Sequence, residues 1–97
     1  MMFVIQGFDG PGVEDLRAAH QEAHVAHLLA FGERFVLGGP FVDENNIPVG
    51  SMMVIEAADR AAAEAFAAAD PFVLNKVFAR VEIHRWAFGH LRASGRG

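Results

Sequence analysis

Residues 20–28, HQEAHVAHL, hold three of the chain's five histidines. Their spacing of i, i+4 and i+7 gathers them on one side of a helix. An imidazole titrates near ~6.5, so it can take up and return a proton at neutral pH once a neighbour fixes its tautomer. The same spacing lets two imidazoles reach one metal ion. Both chemistries compete with a plain reading, in which each ring is a half-buried helix residue with one satisfied nitrogen.

On a wheel of about 100° per residue, Val13, Leu16, His20, His24, His27 and Phe31 share one strip, and Glu14, Asp15, Gln21 and Glu22 point to water. The strip is expected to face a sheet. Leaving a buried polar group unpaired costs ~1–3 kcal/mol, so the trio implies a polar pocket between helix and sheet. The carboxylate to orient a histidine there is Asp70 in AADPF, held stiffly by Pro71. Asp-Pro also caps helices, and a carboxylate has oxygens for both tasks. For zinc, the HExxH pattern needs Glu directly after the first histidine; Gln21 stands there, with Glu22 one step late. A third ligand would have to be His27 or Asp70, and no metal or other cofactor is expected. Gly38 and Gly39 would let a ligand approach the backbone. Ser51 is a candidate hydroxyl donor but not a nucleophile, because no activated-serine elbow surrounds it. Phe41, Phe72 and Trp86 are candidate pocket walls.

These residues need elements to carry them. Residues 2–8, MFVIQGF, read as a strand ended by Asp9-Gly10-Pro11-Gly12. A proline-free and glycine-free run from Val13 to about Phe31 predicts a helix stopped by Gly32. RFVLGGP, 34–40, predicts a strand breaking at Gly38-Gly39-Pro40. DENNIPVG is a hairpin loop and SMMVIEA, 51–57, the returning strand. Asp59 caps the alanine-rich RAAAEAFAAA, and Asp70-Pro71 interrupts it and caps a further turn through Asn75. KVFARVEIHRW, 76–86, alternates as a last strand. The order β-α-β-β-α-β is the ferredoxin-like arrangement of the α+β class, an antiparallel sheet with both helices on one face. In the first and third strands, Phe3 and Ile5 oppose Met2, Val4 and Phe8, and Met52 and Val54 oppose Met53 and Ile55. Both faces are apolar and the helices cover one, so a second subunit is expected on the other.

Composition narrows the classes. Ninety-seven residues, 53% hydrophobic and 21% charged, make one globular domain. No apolar run reaches the ~18–20 residues of a membrane span, and the start lacks a secretion signal, so a cytoplasmic protein is expected. With no cysteine, disulfides and thiolate chemistry are excluded. A net charge of −4 argues against nucleic acid, although five of eight basic residues lie in the last 22 positions. Residues 88–97 lose periodicity and are expected to be a mobile tail.

Taken together, MFVIQGF, AHVAHL, LGGPF, GSMMVIEA, AAAEAFAAADPF and VEIHRW, in this order from Met2 through Trp86, resemble the YciI-like (YCII-related) family. The resemblance implies a ferredoxin-like domain, residues 1–87, pairing into a dimeric α+β barrel. It implies a His-Asp dyad at His24 and Asp70. His27 stands where an aromatic residue is common, and Gln21 where an arginine is frequent. One family member is an aromatic dehydrochlorinase.

The expectation is a cofactor-independent enzyme of lyase or isomerase type acting on a small organic molecule, with His24 as acid or base and Asp70 orienting it. His27, Ser51, Gly39, Phe41 and Phe72 are the expected substrate contacts. A non-catalytic ligand-binding or accessory dimer is the rival reading, and haem ligation by a histidine a weaker third.

Overall fold

The computed structural model describes residues 1–87, and the expected tail lies outside the described residues. The elements are β1 (Met2–Asp9), α1 (Glu14–Leu29), β2 (Phe35–Val42), β3 (Pro48–Glu56), α2 (Arg60–Ala68), α3 (Pro71–Leu74) and β4 (Phe78–Trp86), with a 3-10 turn at Gly32–Arg34. The sheet order is β2-β3-β1-β4 and every pair is antiparallel. This is the ferredoxin-like βαββαβ fold, with α3 as the extra turn that Asp70-Pro71 creates.

Local chemistry explains the boundaries. Glu14 and Asp15 lie in the first turn of α1, where negative charge suits the helix dipole. Past its end, Gly32 adopts φ 67°, a left-handed conformation that favours glycine. Asp59 caps α2 by accepting the Ala62 N–H at 2.9 Å. Asp70 does the same for α3 with the Phe72 N–H at 2.9 Å, and Pro71 occupies the first helical position.

β2 does not break at Gly38-Gly39-Pro40 as the sequence predicts; it continues to Val42. The reason is its place at the sheet edge, where one side has no ladder partner among the described residues and a missing proline N–H is tolerated.

Strand alternation sends Phe3 and Ile5 of β1 and Met53 and Ile55 of β3 toward the helices. There they join Leu28, Ala63, Phe66, Phe72, Val77 and Phe78 in the core. Gly7 is essential to this packing: a Cβ there would lie 2.4 Å from the Phe78 ring. Phe78 therefore rests on bare strand backbone and meets Phe72 edge-on, with centroids 5.5 Å apart.

The opposite face carries Met2, Val4, Phe8, Leu37, Phe41, Met52, Val54 and Trp86, and among the described residues no helix lies over it. Among the described residues, no helix is long and apolar enough to cross a membrane.

Candidate functional site

The buried residues of α1 are Arg17, His24 and Leu28. This differs from the strip expected from the wheel. Leu16 is exposed, while Val13, His20, His27 and Phe31 are half-buried. The buried line is rotated from the expected one by roughly 60° at 100° per residue.

His24 is 5% exposed and Asp70 1%. The Nδ1 atom of His24 lies 2.8 Å from Asp70 Oδ1. That oxygen also accepts the Phe72 N–H; as a carboxylate, Asp70 can only accept from the ring as well, and the imidazole hydrogen then stands on Nδ1. In the neutral ring Nε2 then carries the lone pair. It makes no hydrogen bond among the described residues, yet it is not sealed from solvent. The ring is stacked on Phe72 with centroids 4.0 Å apart and planes 12° from parallel. Gly7, Phe78 and Phe72 thus form the support that fixes His24. Asp70 Oδ2 is buried with no hydrogen-bond partner among the described residues, so Oδ1 alone takes both donors.

His24 lines a cleft of about 350 Å³ between α1 and the β2–β3 edge of the sheet. Gln21, Val25, Leu28 and Leu29 form the helix side; Phe35, Gly38, Gly39, Pro40, Pro48 and Ser51 form the sheet side. A second cleft of about 290 Å³ shares Arg17, Gln21 and Pro48 with the first and is also bordered by Glu14, Ala18 and Ile47.

Arg17 stands where the clefts meet and was not among the residues read from the sequence. Its Nε and Nη2 donate to Asp9 Oδ2 and Oδ1 at 2.8 and 3.2 Å. Nη2 also donates to the Gly50 carbonyl at 2.8 Å and to Ser51 Oγ at 2.9 Å. The guanidinium carbon lies 4.6 Å from the Phe72 ring centroid. One signal for Arg17 was available: it precedes His24 by seven residues, two helical turns, and so shares its face.

The other expected contacts divide. Gly39 and Ser51 line the cleft with His24. Phe72 is fully buried, so it supports the imidazole and forms no cleft wall. His27 is not at the cleft: its Nε2 donates to the Phe66 carbonyl at 2.9 Å and its ring stacks on Phe66, tying α1 to α2. Phe41 stands on the opposite sheet face, stacked against Phe8 at 5.9 Å, and Phe35 takes the place expected for it. A register shift between Phe35 and Leu37 causes this, because the extra residue inverts the alternation along β2. Trp86, at the far end of β4, pairs with Met2 on that opposite face. Among the described residues, no group of three or more His, Asp or Glu is arranged to hold a metal ion.

A family model described as YCII-related domain matches residues 1–87. No curated protein matches the chain. Among solved structures, one similar to it is the 5-chloro-2-hydroxyhydroquinone dehydrochlorinase of Burkholderia phenoliruptrix in complex with 2,5-dihydroxybenzoquinone. The two are 29% identical over 92% of this chain and 96% of that one, with a TM-score of 0.84. An antibiotic biosynthesis monooxygenase is 22% identical over 90% of this chain and 99% of its own, with a TM-score of 0.53. A protein from Pseudomonas aeruginosa is 18% identical over 89% of this chain and 93% of its own, with a TM-score of 0.52. These last two share the fold.

Proposed function

The chain belongs to the YCII-related domain family, and from that premise we propose that it is an enzyme using His24 and Asp70 for acid–base chemistry on a small organic molecule. The observation that carries this reading is the 2.8 Å contact between His24 Nδ1 and Asp70 Oδ1, made by a histidine that lines a cleft. A base needs a lone pair at the substrate and a partner for the charge it acquires. Here Nε2 supplies the first and Asp70 the second.

In the proposed reaction, Nε2 removes a proton from a carbon or hydroxyl beside a carbonyl or phenolic carbon. The electron pair left behind forms a new double bond. In an elimination, the leaving group departs with its own pair; in an isomerisation, His24 returns the proton at a second position. The imidazolium formed in between faces the Asp70 carboxylate. Val25, Leu28, Phe35 and Pro40 keep the cleft largely apolar, which strengthens such charge interactions. The similar dehydrochlorinase, whose name describes loss of HCl from a hydroxylated ring, supports this class. The absence of an organic cofactor and a cytoplasmic location belong to the same proposal.

The test is chloride release from 5-chloro-2-hydroxyhydroquinone, together with deuterium incorporation from D2O into a panel of small hydroxylated ring compounds. The parent protein is expected to turn over at least one compound, and His24→Ala to lower that rate by about 10²–10⁴-fold. An unchanged rate in the variant would remove His24 from the chemistry. Binding without turnover by the parent would favour the rival reading of a ligand-binding dimer.

The proposal includes a homodimer that closes the helix-free sheet face. Its support is the apolar surface there, where Leu37 and Trp86 are exposed. Light scattering at low micromolar concentration is expected to give twice the chain mass, and a monomer would contradict it.

A further inference from the structure

We propose that Arg17 is the specificity residue of this cleft, its Nη1 donating to a single ionised oxygen on the ligand. The ligand class that follows is a small ring bearing an acidic enolic or phenolic hydroxyl. This rests on the reading that the His24 cleft is the functional site.

Arg17 is 7% exposed, and its guanidinium carries five N–H donors. Nε and Nη2 are committed to Asp9, Gly50 and Ser51. The two N–H groups of Nη1 have no acceptor among the described residues, yet the atom is not sealed from solvent. Arg17 borders both clefts, the place where a ligand oxygen would meet it. A guanidinium stays charged at any physiological pH, and unused donors on a buried one form a ready site for an anionic oxygen.

The geometry also selects the kind of oxygen. A carboxylate or phosphate is best held by two parallel N–H groups from different nitrogens. Asp9 already occupies the Nε–Nη2 edge, and Gly50 and Ser51 draw on Nη2 at the other edge. What remains is one nitrogen, matched to a lone oxyanion.

The rest of the cleft specifies the body of the ligand. Val25, Leu28, Phe35, Pro40 and Pro48 are apolar, and 350 Å³ is near the lower end of the ~300–1,000 Å³ typical of small-molecule sites, room for a single ring. Asp9 offsets the charge of Arg17 on the edge away from Nη1, which keeps the guanidinium oriented before any ligand arrives.

The test compares two probes in equilibrium titrations of the full chain. 2,5-Dihydroxybenzoquinone is ionised at neutral pH; 2,5-dimethoxybenzoquinone has the same ring and cannot ionise. The parent protein is expected to prefer the ionised probe by about 10- to 100-fold, the effect of one charge-assisted hydrogen bond. Replacing Arg17 alone would strand the Asp9 carboxylate, so the main variant is Arg17→Gln with Asp9→Asn, checked for folding by circular dichroism. Its preference is expected to collapse to within about threefold, below a 1 kcal/mol difference. Arg17→Lys, which keeps the charge beside Asp9 without the open second nitrogen, is expected to lose the preference as well. No preference in the parent protein, or a preference retained in both variants, would overturn the proposal. His24→Ala is expected to keep the preference. Turnover that persists in His24→Ala would overturn the acid–base reading while leaving this binding result intact, so the two failures are distinguishable.

Discussion

Replacing Asp70 by alanine removes one side chain that serves two elements. Its Oδ1 accepts the Phe72 N–H at 2.9 Å, capping α3, and the His24 Nδ1–H at 2.8 Å, and the residue is 1% exposed. Loss of a cap costs about 0.5–2 kcal/mol. Stranding the buried imidazole N–H costs a further ~1–3 kcal/mol. The sum is about 1.5–5 kcal/mol, and at ~4–8 °C per kcal/mol for a domain of this size the Tm should fall by at least ~6 °C. Asp70→Asn should fall less, because an amide oxygen can still accept both hydrogens. The decisive assay is a double-mutant cycle of Asp70→Ala with His24→Leu, measured by urea unfolding and far-UV circular dichroism. With His24 gone, only the cap remains to be lost, so the cycle should show a coupling of about 1–3 kcal/mol. Additivity within ~0.5 kcal/mol would refute the claim that the buried pair is energetically joined.

Two further outcomes follow from the packing. Gly7→Ala puts a Cβ 2.4 Å from the Phe78 ring, which must shift and carry Phe72 with it. A loss of about 1–3 kcal/mol in urea unfolding is expected, together with weaker ligand binding; parent-like values for both would break the proposed line of support to His24. His27→Leu removes the bond to the Phe66 carbonyl but touches nothing in the cleft. It should cost about 0.5–1.5 kcal/mol of stability and leave turnover unchanged, and a large fall in turnover would return His27 to the site.

The elements were legible because their signals are local. Asp59, Asp70-Pro71 and Gly32 mark helix ends by backbone chemistry that needs no tertiary information. The alternation along β1 identified both faces of the sheet. Features that depend on phase were harder to read. A helical wheel gives a periodicity but fixes its rotation poorly, so His27 was assigned to the sheet side when its ring turns to Phe66. Arg17 escaped notice because a helical arginine reads as solvated, and the acid that permits its burial, Asp9, lies eight residues away on another element. Phe41 reads as a pocket wall from its aromatic character alone, and the strand that continues through it, with an extra residue between Phe35 and Leu37, turns it to the opposite face. The contact between His24 and Asp70 spans 46 residues. No spacing rule reaches that far; the family resemblance, with Asp-Pro chemistry, indicated it.

The central claim is that Asp70 holds His24 with hydrogen on Nδ1 and a lone pair on Nε2 facing the cleft. Nitrogen-15 NMR of the imidazoles in histidine-labelled protein reads this directly. Resting His24 is expected to carry its proton on Nδ1, and its Nε2 resonance to move when 2,5-dihydroxybenzoquinone is added. A proton found on Nε2 of the resting neutral ring, with Nδ1 bare, would contradict it.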